Sequence, residues 1–132
     1  MDMEVYFPGN KRVHARYKGF VIETDQPVGA GGDDSAPAPF DLFIASLGTC
    51  AGIYVLSFME QRGLSTEGAG ITVSLERDPE TRLVSKVSLQ IKLPPDFPPK
   101  YVDAVIRAAE MCAVKRHLEN PPVLETTATI TS

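Results

Sequence analysis

Two cysteines are the residues of this chain best suited to covalent chemistry. The chain has 132 residues and two cysteines, Cys50 and Cys112. A cysteine reacts as its thiolate, and a free thiol with a pKa of about 8.5 is mostly protonated at pH 7. A reactive Cys50 would therefore need a nearby cation to stabilise its thiolate. Cysteine is also among the residue types most often buried, so either thiol could serve only as packing.

Four residues near Cys50 are candidates for contacting a substrate. Ser46 and Tyr54 each lie about one helical turn from Cys50, so their hydroxyls could donate to a thiolate or to a bound oxygen, or simply to the backbone. Phe40 is one of several aromatic residues that would suit either an apolar channel or a plain core. Asp41 places a negative charge beside the positive end of a helix dipole.

Cys50 lies in the middle of a long apolar stretch, which predicts the central helix of the fold. Pro39 suits the first turn of this helix, and Gly63 is typical of the position just after a helix end. The stretch is apolar nearly all round, so we expect it to be buried on every side. Its length approaches that of a membrane span, but its interspersed Ser, Thr and Gly residues and the lack of basic residues at its start favour a core helix.

Shorter elements surround this helix in the sequence. Alternating apolar residues predict strands at 1–6, 11–17 and 20–25 before it, and a long hairpin from 71–77 and 82–93 after it. A second helix is expected from about residue 99, followed by a sixth strand at 123–130. The order βββ-α-ββ-α-β predicts one α+β domain over residues 1–132, in which a curled antiparallel sheet packs around the buried central helix.

Composition excludes several classes of function. The net charge is −4, the pI is near 5.1 and no Lys/Arg cluster is present, so no nucleic-acid partner is expected. The first residues carry neither a basic nor an apolar run, which predicts a cytoplasmic protein with reduced thiols. His14 and His117 are isolated, so no metal is expected. The glycines of loop 26–38 lack dinucleotide-binding spacing, which predicts a flexible loop and no cofactor there.

A helix that is apolar on all sides needs more cover than one sheet face supplies. A second copy of the chain is the simplest source of that cover, so we expect an isologous homodimer. Gly52, in the middle of the helix, is expected to lie at a close helix contact, where added volume would overpack the core.

Two motifs carry a resemblance that covers essentially the whole chain. The stretch PAPFDLFIASLGTCAGIYVL and the later AAEMCAVKRHLENPP resemble the two cysteine motifs of the OsmC/Ohr family, in the family's order and separation. The resemblance implies an intertwined homodimer whose sheets wrap two central helices. It also implies thiol-dependent reduction of organic hydroperoxides, with a lipoylated protein or another dithiol restoring the enzyme.

The resemblance also implies roles for individual residues. Cys50 would attack the peroxide and Cys112 would resolve the product as a disulfide. An arginine from the first strands would activate Cys50; Arg12 is our candidate and Arg16 the second choice. In family members that reduce hydroperoxides, a Glu just after the motif's proline orients this arginine. Here that position is Phe40, and the acidic residue comes one position later.

Two hypotheses of different classes follow. The first is a two-cysteine peroxidase that uses Cys50 and Cys112. The second is a non-catalytic dimer of the same fold that binds an apolar or thiol-reactive small molecule. The pKa at which a thiol reagent labels Cys50 separates them. A value near about 8.5 or higher favours the binding protein, and a value well below it favours the enzyme.

Overall fold

Among residues 2–131, which the computed structural model of the protein describes, five strands and three helices follow the order βββ-α-ββ-αα. Their bounds are β1 Glu4–Gly9, β2 Arg12–Tyr17, β3 Phe20–Thr24, α1 Pro39–Gln61, β4 Gly70–Arg77, β5 Val84–Lys92, α2 Val102–Ala109 and α3 Ala113–Glu119. The chain divides into two compact units, Met1–Ser46 and Leu47–Ser132, and the boundary falls within α1.

The first unit contains a three-stranded antiparallel meander in the order β1-β2-β3. Its two turns use left-handed backbone, with Asn10 at φ 46° in the first and Gly19 at φ 81° in the second. Asparagine and glycine adopt this conformation more readily than other residues do. The three predicted strands are confirmed with small shifts at their ends, and Met1, included in the first prediction, lies outside the described residues.

Helix α1 begins and ends where local chemistry predicts. The carboxylate of Asp41 accepts a hydrogen bond of 3.1 Å from the N–H of Ala38, so it caps the helix start as well as complementing the dipole. At the other end Gly63 adopts φ 64°, and the N–H of Leu64 donates to the carbonyl of Met59 at 2.9 Å. Both termini are therefore stabilised by residues within one turn of the helix.

In the second unit the rest of α1, the β4–β5 hairpin and α2 form one apolar core. Its buried members are Val55, Phe58, Met59, Phe97 and Val105. The predicted hairpin is confirmed, with Ile71 opposite Ile91 and Val73 opposite Leu89. This packing holds the portion of α1 that carries Cys50.

The predicted second helix is two helices. A short 3₁₀ turn at Pro99–Tyr101 leads into α2, and the chain then breaks at residues 110–112 before α3 begins. The break places Cys112 at the N-cap of α3, and not within a continuous helix as expected.

The predicted sixth strand is wrong. Residues 121–131 have no regular secondary structure, and the exposed fractions of Val123, Leu124 and Ile130 are 94%, 90% and 102%. A strand requires the hydrogen-bonding edge of a neighbour, and this segment finds none within the described chain. The predicted single curled sheet is also wrong, because the described strands form two separate sheets of three and two strands.

Within a single chain the central helix is only partly covered, and its predicted burial across a dimer interface stays a prediction. Leu47, Ala51 and Val55 are buried, whereas Ile53 is 53% exposed and Leu56 is 38% exposed. By length and composition α1 could cross a membrane, with a mean hydropathy of 1.9 over its most apolar stretch, but core helices of soluble proteins pass the same test. One apolar side of α1 therefore lacks cover from residues 2–131 of its own chain.

Candidate active site

The second unit brings the two cysteines together. Cys50 is half-buried in α1, and Cys112 is 2% exposed at the start of α3. The thiol of Cys112 donates a hydrogen bond to the sulfur of Cys50, and the two are not joined by a disulfide. Two residues far apart in the sequence therefore form one dithiol.

The chain break before α3 sets the position of Cys112. Its backbone is extended, at φ −46° and ψ 125°, and its Sγ accepts a hydrogen bond of 3.5 Å from the N–H of Lys115. The ammonium of Lys115 also pairs with the carboxylate of Glu110 at 3.2 Å, so an ion pair spans the break. Cys112 thus caps α3 with its sulfur in the role that Ser or Asp usually fills.

The first turn of α3 lowers the pKa of the Cys50 thiol. The main cause is a hydrogen bond from the backbone N–H of Val114, and the Cys112 thiol, the N–H of Ala113 and the positive charge of Arg116 act in the same direction. Partial burial opposes them. Backbone N–H groups favour the thiolate because they donate hydrogen bonds that an ionised sulfur accepts more strongly than a neutral thiol does.

The pKa of the Cys112 thiol is shifted in the opposite direction. Burial raises the pKa of its thiol, and its hydrogen bond to Cys50 and the negative charge on that neighbour raise it further. Cys50 is therefore the sulfur that ionises first, while Cys112 keeps its proton and donates it to the neighbouring sulfur. This asymmetry distinguishes the two thiols by how easily each one ionises.

Apart from Cys112, the groups that stabilise the Cys50 thiolate were not singled out by the sequence. Two of them are the backbone N–H groups of Ala113 and Val114, which no side-chain type would reveal. Another, Arg116, was not one of the two candidate cations, Arg12 and Arg16. Tyr54, the predicted hydrogen-bond donor one turn after Cys50, is half-buried in α1.

The predicted cations Arg12 and Arg16 both have partners in the first unit. The guanidinium of Arg12 forms an ion pair of 3.0 Å with Asp33, and its Nε donates to the hydroxyl of Ser35 at 3.3 Å. The guanidinium of Arg16 lies 4.6 Å from the centre of the Tyr6 ring, in a cation–π contact.

The predicted substrate contacts of the first unit have local partners. The ring of Phe40 is 5.6 Å from the ring of Phe43 and remains 45% exposed. Asp41 caps α1, and the hydroxyl of Ser46 donates to the carbonyl of Phe43 at 2.6 Å. These hydrogen bonds to backbone groups give Asp41 and Ser46 a structural role in α1.

The reactive atoms of this site are the sulfur atoms of the two free thiols, Cys50 and Cys112. No group of three or more His, Cys, Asp or Glu side chains within residues 2–131 is arranged to hold a metal ion. A thiolate next to a protonated thiol can attack an electrophile and then exchange the product for a disulfide.

Comparison with known proteins identifies the fold. The model of the family described as OsmC-like protein matches residues 32–127, whereas no curated protein sequence matches the chain. A Psychrobacter arcticus protein, provisionally named an osmotic stress induced and detoxification response protein, has a similar structure. Its TM-score is 0.73 at 24% identity, over 86% of this chain and 85% of that one.

Two further solved structures are similar. An OsmC-like protein from Mycoplasma pneumoniae gives a TM-score of 0.70 at 13% identity, over 91% of this chain and 87% of that chain. The organic hydroperoxide resistance protein OhrB of Bacillus subtilis gives 0.53 at 18% identity, over 92% and 93% of the two chains. With the family match covering most of its length, the chain belongs to the OsmC-like protein family.

Proposed function

We propose that this protein is a thiol-dependent peroxidase that reduces organic hydroperoxides and so contributes to defence against oxidative stress. The observation that carries the proposal is the Cys50–Cys112 pair, in which the pKa of one thiol is lowered and that of the other is raised. The similarity to an organic hydroperoxide resistance protein supports the choice of oxidant.

In the first step, the thiolate of Cys50 attacks the outer oxygen of a hydroperoxide, ROOH. The O–O bond breaks, the alkoxide takes up a proton and leaves as ROH, and Cys50 becomes a sulfenic acid. In the second step, Cys112 attacks the sulfur of that sulfenic acid and loses its proton, and hydroxide departs as water. An intrachain disulfide results, so the peroxide has been reduced by two electrons and the dithiol has been oxidised by two.

An external dithiol closes the cycle. Its thiolate attacks the Cys50–Cys112 disulfide through a mixed disulfide, and its second thiol completes the exchange. The oxidised carrier leaves with a disulfide of its own, and both protein thiols are regenerated. A lipoylated protein carries a dithiol of this kind. No metal or organic cofactor is needed in this scheme.

The role of Arg12 as the cation that activates Cys50, with Arg16 as the second choice, stays a prediction. Phe40, Asp41, Ser46 and Tyr54 stay predictions as residues that contact the hydroperoxide. A homodimer also belongs to the proposal, and it is supported by the uncovered apolar side of α1 and the exposed apolar residues of the C-terminal segment. Sedimentation at micromolar concentration tests this part, and a monodisperse monomer would overturn it.

The test of the peroxidase is a single pulse of a hydroperoxide, followed by intact mass and thiol counting. The wild-type protein is expected to lose both thiols together, with a mass loss of about 2 Da for one disulfide. Cys50→Ser is expected to consume no peroxide even in the first turnover, because a serine hydroxyl is not ionised at neutral pH. Cys112→Ser is expected to complete one turnover and then accumulate sulfenic acid at Cys50, trappable by dimedone.

Two results would contradict the mechanism in different ways. A wild-type product with Cys112 still free and one or two oxygens added, about 16 or 32 Da, would remove the resolving role of Cys112. No oxidation at all, with Cys50 still accessible to a small alkylating reagent, would favour the non-catalytic binding protein. Comparing several hydroperoxides and dithiols then identifies the preferred substrate and reductant.

A further inference from the structure

The first turn of α3 is held by the two sulfurs of the dithiol. The N–H of Lys115 donates to Sγ of Cys112 at 3.5 Å, and the N–H groups of Val114 and Ala113 donate to the sulfur of Cys50. These donors belong to the first three residues of α3, where an N–H has no partner within the helix. The dithiol therefore supplies the acceptors that the start of this helix needs.

The other contacts of this turn are weak. No residue of α3 is buried within the described chain, and a helix of seven residues is too short to be stable by itself. The ion pair between Lys115 and Glu110 joins side chains that are 43% and 57% exposed, and an exposed ion pair contributes little to stability. The position of the turn therefore depends mainly on its hydrogen bonds to the two sulfurs.

Oxidation of the pair weakens these hydrogen bonds. In the reduced protein Cys50 is the sulfur that ionises more easily, and a thiolate accepts hydrogen bonds from Val114 and Ala113 more strongly than a neutral sulfur does. In a Cys50–Cys112 disulfide neither sulfur carries a charge, and a neutral sulfur is only a weak acceptor. The start of α3 is therefore held less firmly in the oxidised protein than in the reduced one.

The two sulfurs differ in how well each one could receive an external dithiol. Exchange is faster when the leaving thiol has the lower pKa, and the pKa of Cys50 is lowered whereas burial raises that of Cys112. The favoured route is therefore attack on Cys112, with Cys50 leaving as its thiolate. However, Cys112 is 2% exposed and Cys50 is half-buried, so access in the reduced protein favours the other sulfur.

We infer that the external dithiol attacks the sulfur of Cys112, and that oxidation of the pair opens this route by releasing the first turn of α3. The inference rests on the proposed function, which makes the Cys50–Cys112 disulfide an intermediate of the cycle. The turn that contacts Cys112 in the reduced protein is held by hydrogen bonds that oxidation weakens. Cys112 therefore becomes accessible in the state that has to be reduced.

Each step balances in atoms and electrons. A thiolate of the external dithiol attacks Sγ of Cys112, the S–S bond breaks, and its electron pair leaves on Cys50 as a thiolate. The second thiol of the carrier loses its proton and attacks the carrier sulfur of the mixed disulfide, so that Cys112 leaves and takes up a proton. The carrier is oxidised by two electrons and the protein disulfide is reduced by two.

Trapping a mixed disulfide identifies the sulfur that is attacked. The wild-type protein is oxidised with diamide, so that no peroxidase activity is required, and is then mixed with excess glutathione. The reaction is quenched with acid at early times, free thiols are blocked with N-ethylmaleimide, and peptides are mapped by mass spectrometry. We expect glutathione on Cys112 and the blocking group on Cys50, whereas the reverse assignment overturns attack on Cys112.

A comparison of rates tests the same point without a trapped intermediate. Ala113→Pro removes one N–H from the sulfur of Cys50 and makes it a poorer leaving group, whereas Ala113→Ser keeps this N–H. The diamide-oxidised variants are reduced with dihydrolipoamide, and free thiols are counted over time. We expect the proline variant to be reduced severalfold more slowly than the serine variant. Equal rates would mean that Cys50 is not the leaving group, and would overturn attack on Cys112.

Amide hydrogen exchange tests the release of α3. Amides at the start of α3 are expected to exchange about tenfold faster in the diamide-oxidised protein than in the reduced one, the effect of losing one hydrogen bond to a charged group. The β4–β5 hairpin is the internal control. Cys112→Ser cannot form the disulfide, so its exchange is expected to be the same before and after diamide. Equal exchange of the wild-type helix in both redox states overturns its release.

Failure of the proposed function gives a different result from failure of this inference. If hydroperoxides do not oxidise the wild type, but the diamide-formed disulfide reacts at Cys112 and frees α3, the peroxidase proposal fails and the inference stands. If hydroperoxides do oxidise the pair, but glutathione is found on Cys50 and α3 is equally protected in both states, the inference fails and the peroxidase stands. If neither diamide nor a hydroperoxide forms the disulfide, both are wrong.

Discussion

Replacing Ala113 with proline would remove one backbone donor from Cys50 and leave α3 in place. Ala113 is the first residue of α3, where the N–H has no partner within the helix and proline is well accepted. The preceding residue, Cys112, has ψ 125°, in the extended range that a residue before proline prefers. The substitution therefore removes the N–H that donates to Cys50 without breaking a helical hydrogen bond.

The expected effect follows from the strength of that hydrogen bond. A hydrogen bond to a charged group contributes about 1.5–3 kcal/mol. The N–H of Val114 remains and is the stronger donor to Cys50, so the lower end of the range applies to Ala113. About 1.5 kcal/mol corresponds to roughly a tenfold smaller thiolate fraction. Alkylation of Cys50 should slow about tenfold at pH values where the thiol is mostly protonated, and not at high pH.

The assay is the rate of iodoacetamide modification of Cys50 from pH 5 to 10, followed by peptide mass spectrometry so that Cys112 is counted separately. Ala113→Ser is the control, because it changes the side chain but keeps the N–H. Circular dichroism and thermal melting check that α3 remains folded. Equal rates at pH 6 for the proline and serine variants would refute the idea that this amide stabilises the thiolate.

Two further predictions concern stability. Within the described chain, the close contact expected at Gly52 is found at Gly48. A Cβ at Gly48 would lie 2.9 Å from Cγ2 of Val73, whereas one at Gly52 would lie 3.9 Å from Cδ1 of Ile71, an ordinary contact distance. Since alanine is favoured over glycine in a helix by about 1 kcal/mol, Gly52→Ala should raise the melting temperature by about 3–4 °C. Gly48→Ala should lower it, because overpacking costs about 1–3 kcal/mol; a gain for both variants in thermal melts would contradict the close contact at Gly48. The second prediction is that the melting temperature of the wild type exceeds that of Asp25→Asn above about pH 5, and that the difference shrinks as the pH falls. Hydrogen bonds from the hydroxyl and N–H of Ser35 lower the pKa of Asp25 from 3.8 to about 2, so its stabilising effect is present above the unfolded pKa and is lost as the pH falls towards 2. A difference that stays constant from pH 6 to 2 would show that the ionised carboxylate does not stabilise the loop.

Features that depend on neighbouring residues were predictable from the sequence. The limits of α1 follow from Pro39, Asp41 and Gly63, and the β4–β5 hairpin follows from its alternating apolar residues. The same reasoning failed for residues 121–131, because alternation describes a strand's faces but not the edge it pairs with. It also missed the break between α2 and α3, because the residue types at 110–113 are all compatible with a continuous helix.

The candidate site was predictable only in part. Resemblance to known motifs was enough to single out Cys50 and Cys112, but the stabilising N–H groups of Ala113 and Val114 come from backbone direction at a chain break. Nor did the glycine- and aspartate-rich composition of the loop before α1 reveal that Asp25 would be buried and would anchor Ser35.

The sequence alone therefore determined the first three strands, α1, the β4–β5 hairpin and the two candidate thiols, since caps, turns and apolar periodicity act over a few residues. The tertiary structure decided which thiol is ionised more easily and which arginine has a fixed partner. Those properties depend on distances between groups remote in the chain, such as the sulfur of Cys50 and the start of α3, or Arg12 and the loop that holds Asp33. Hydrogen bonding and burial at such contacts change a pKa, and no local pattern records them.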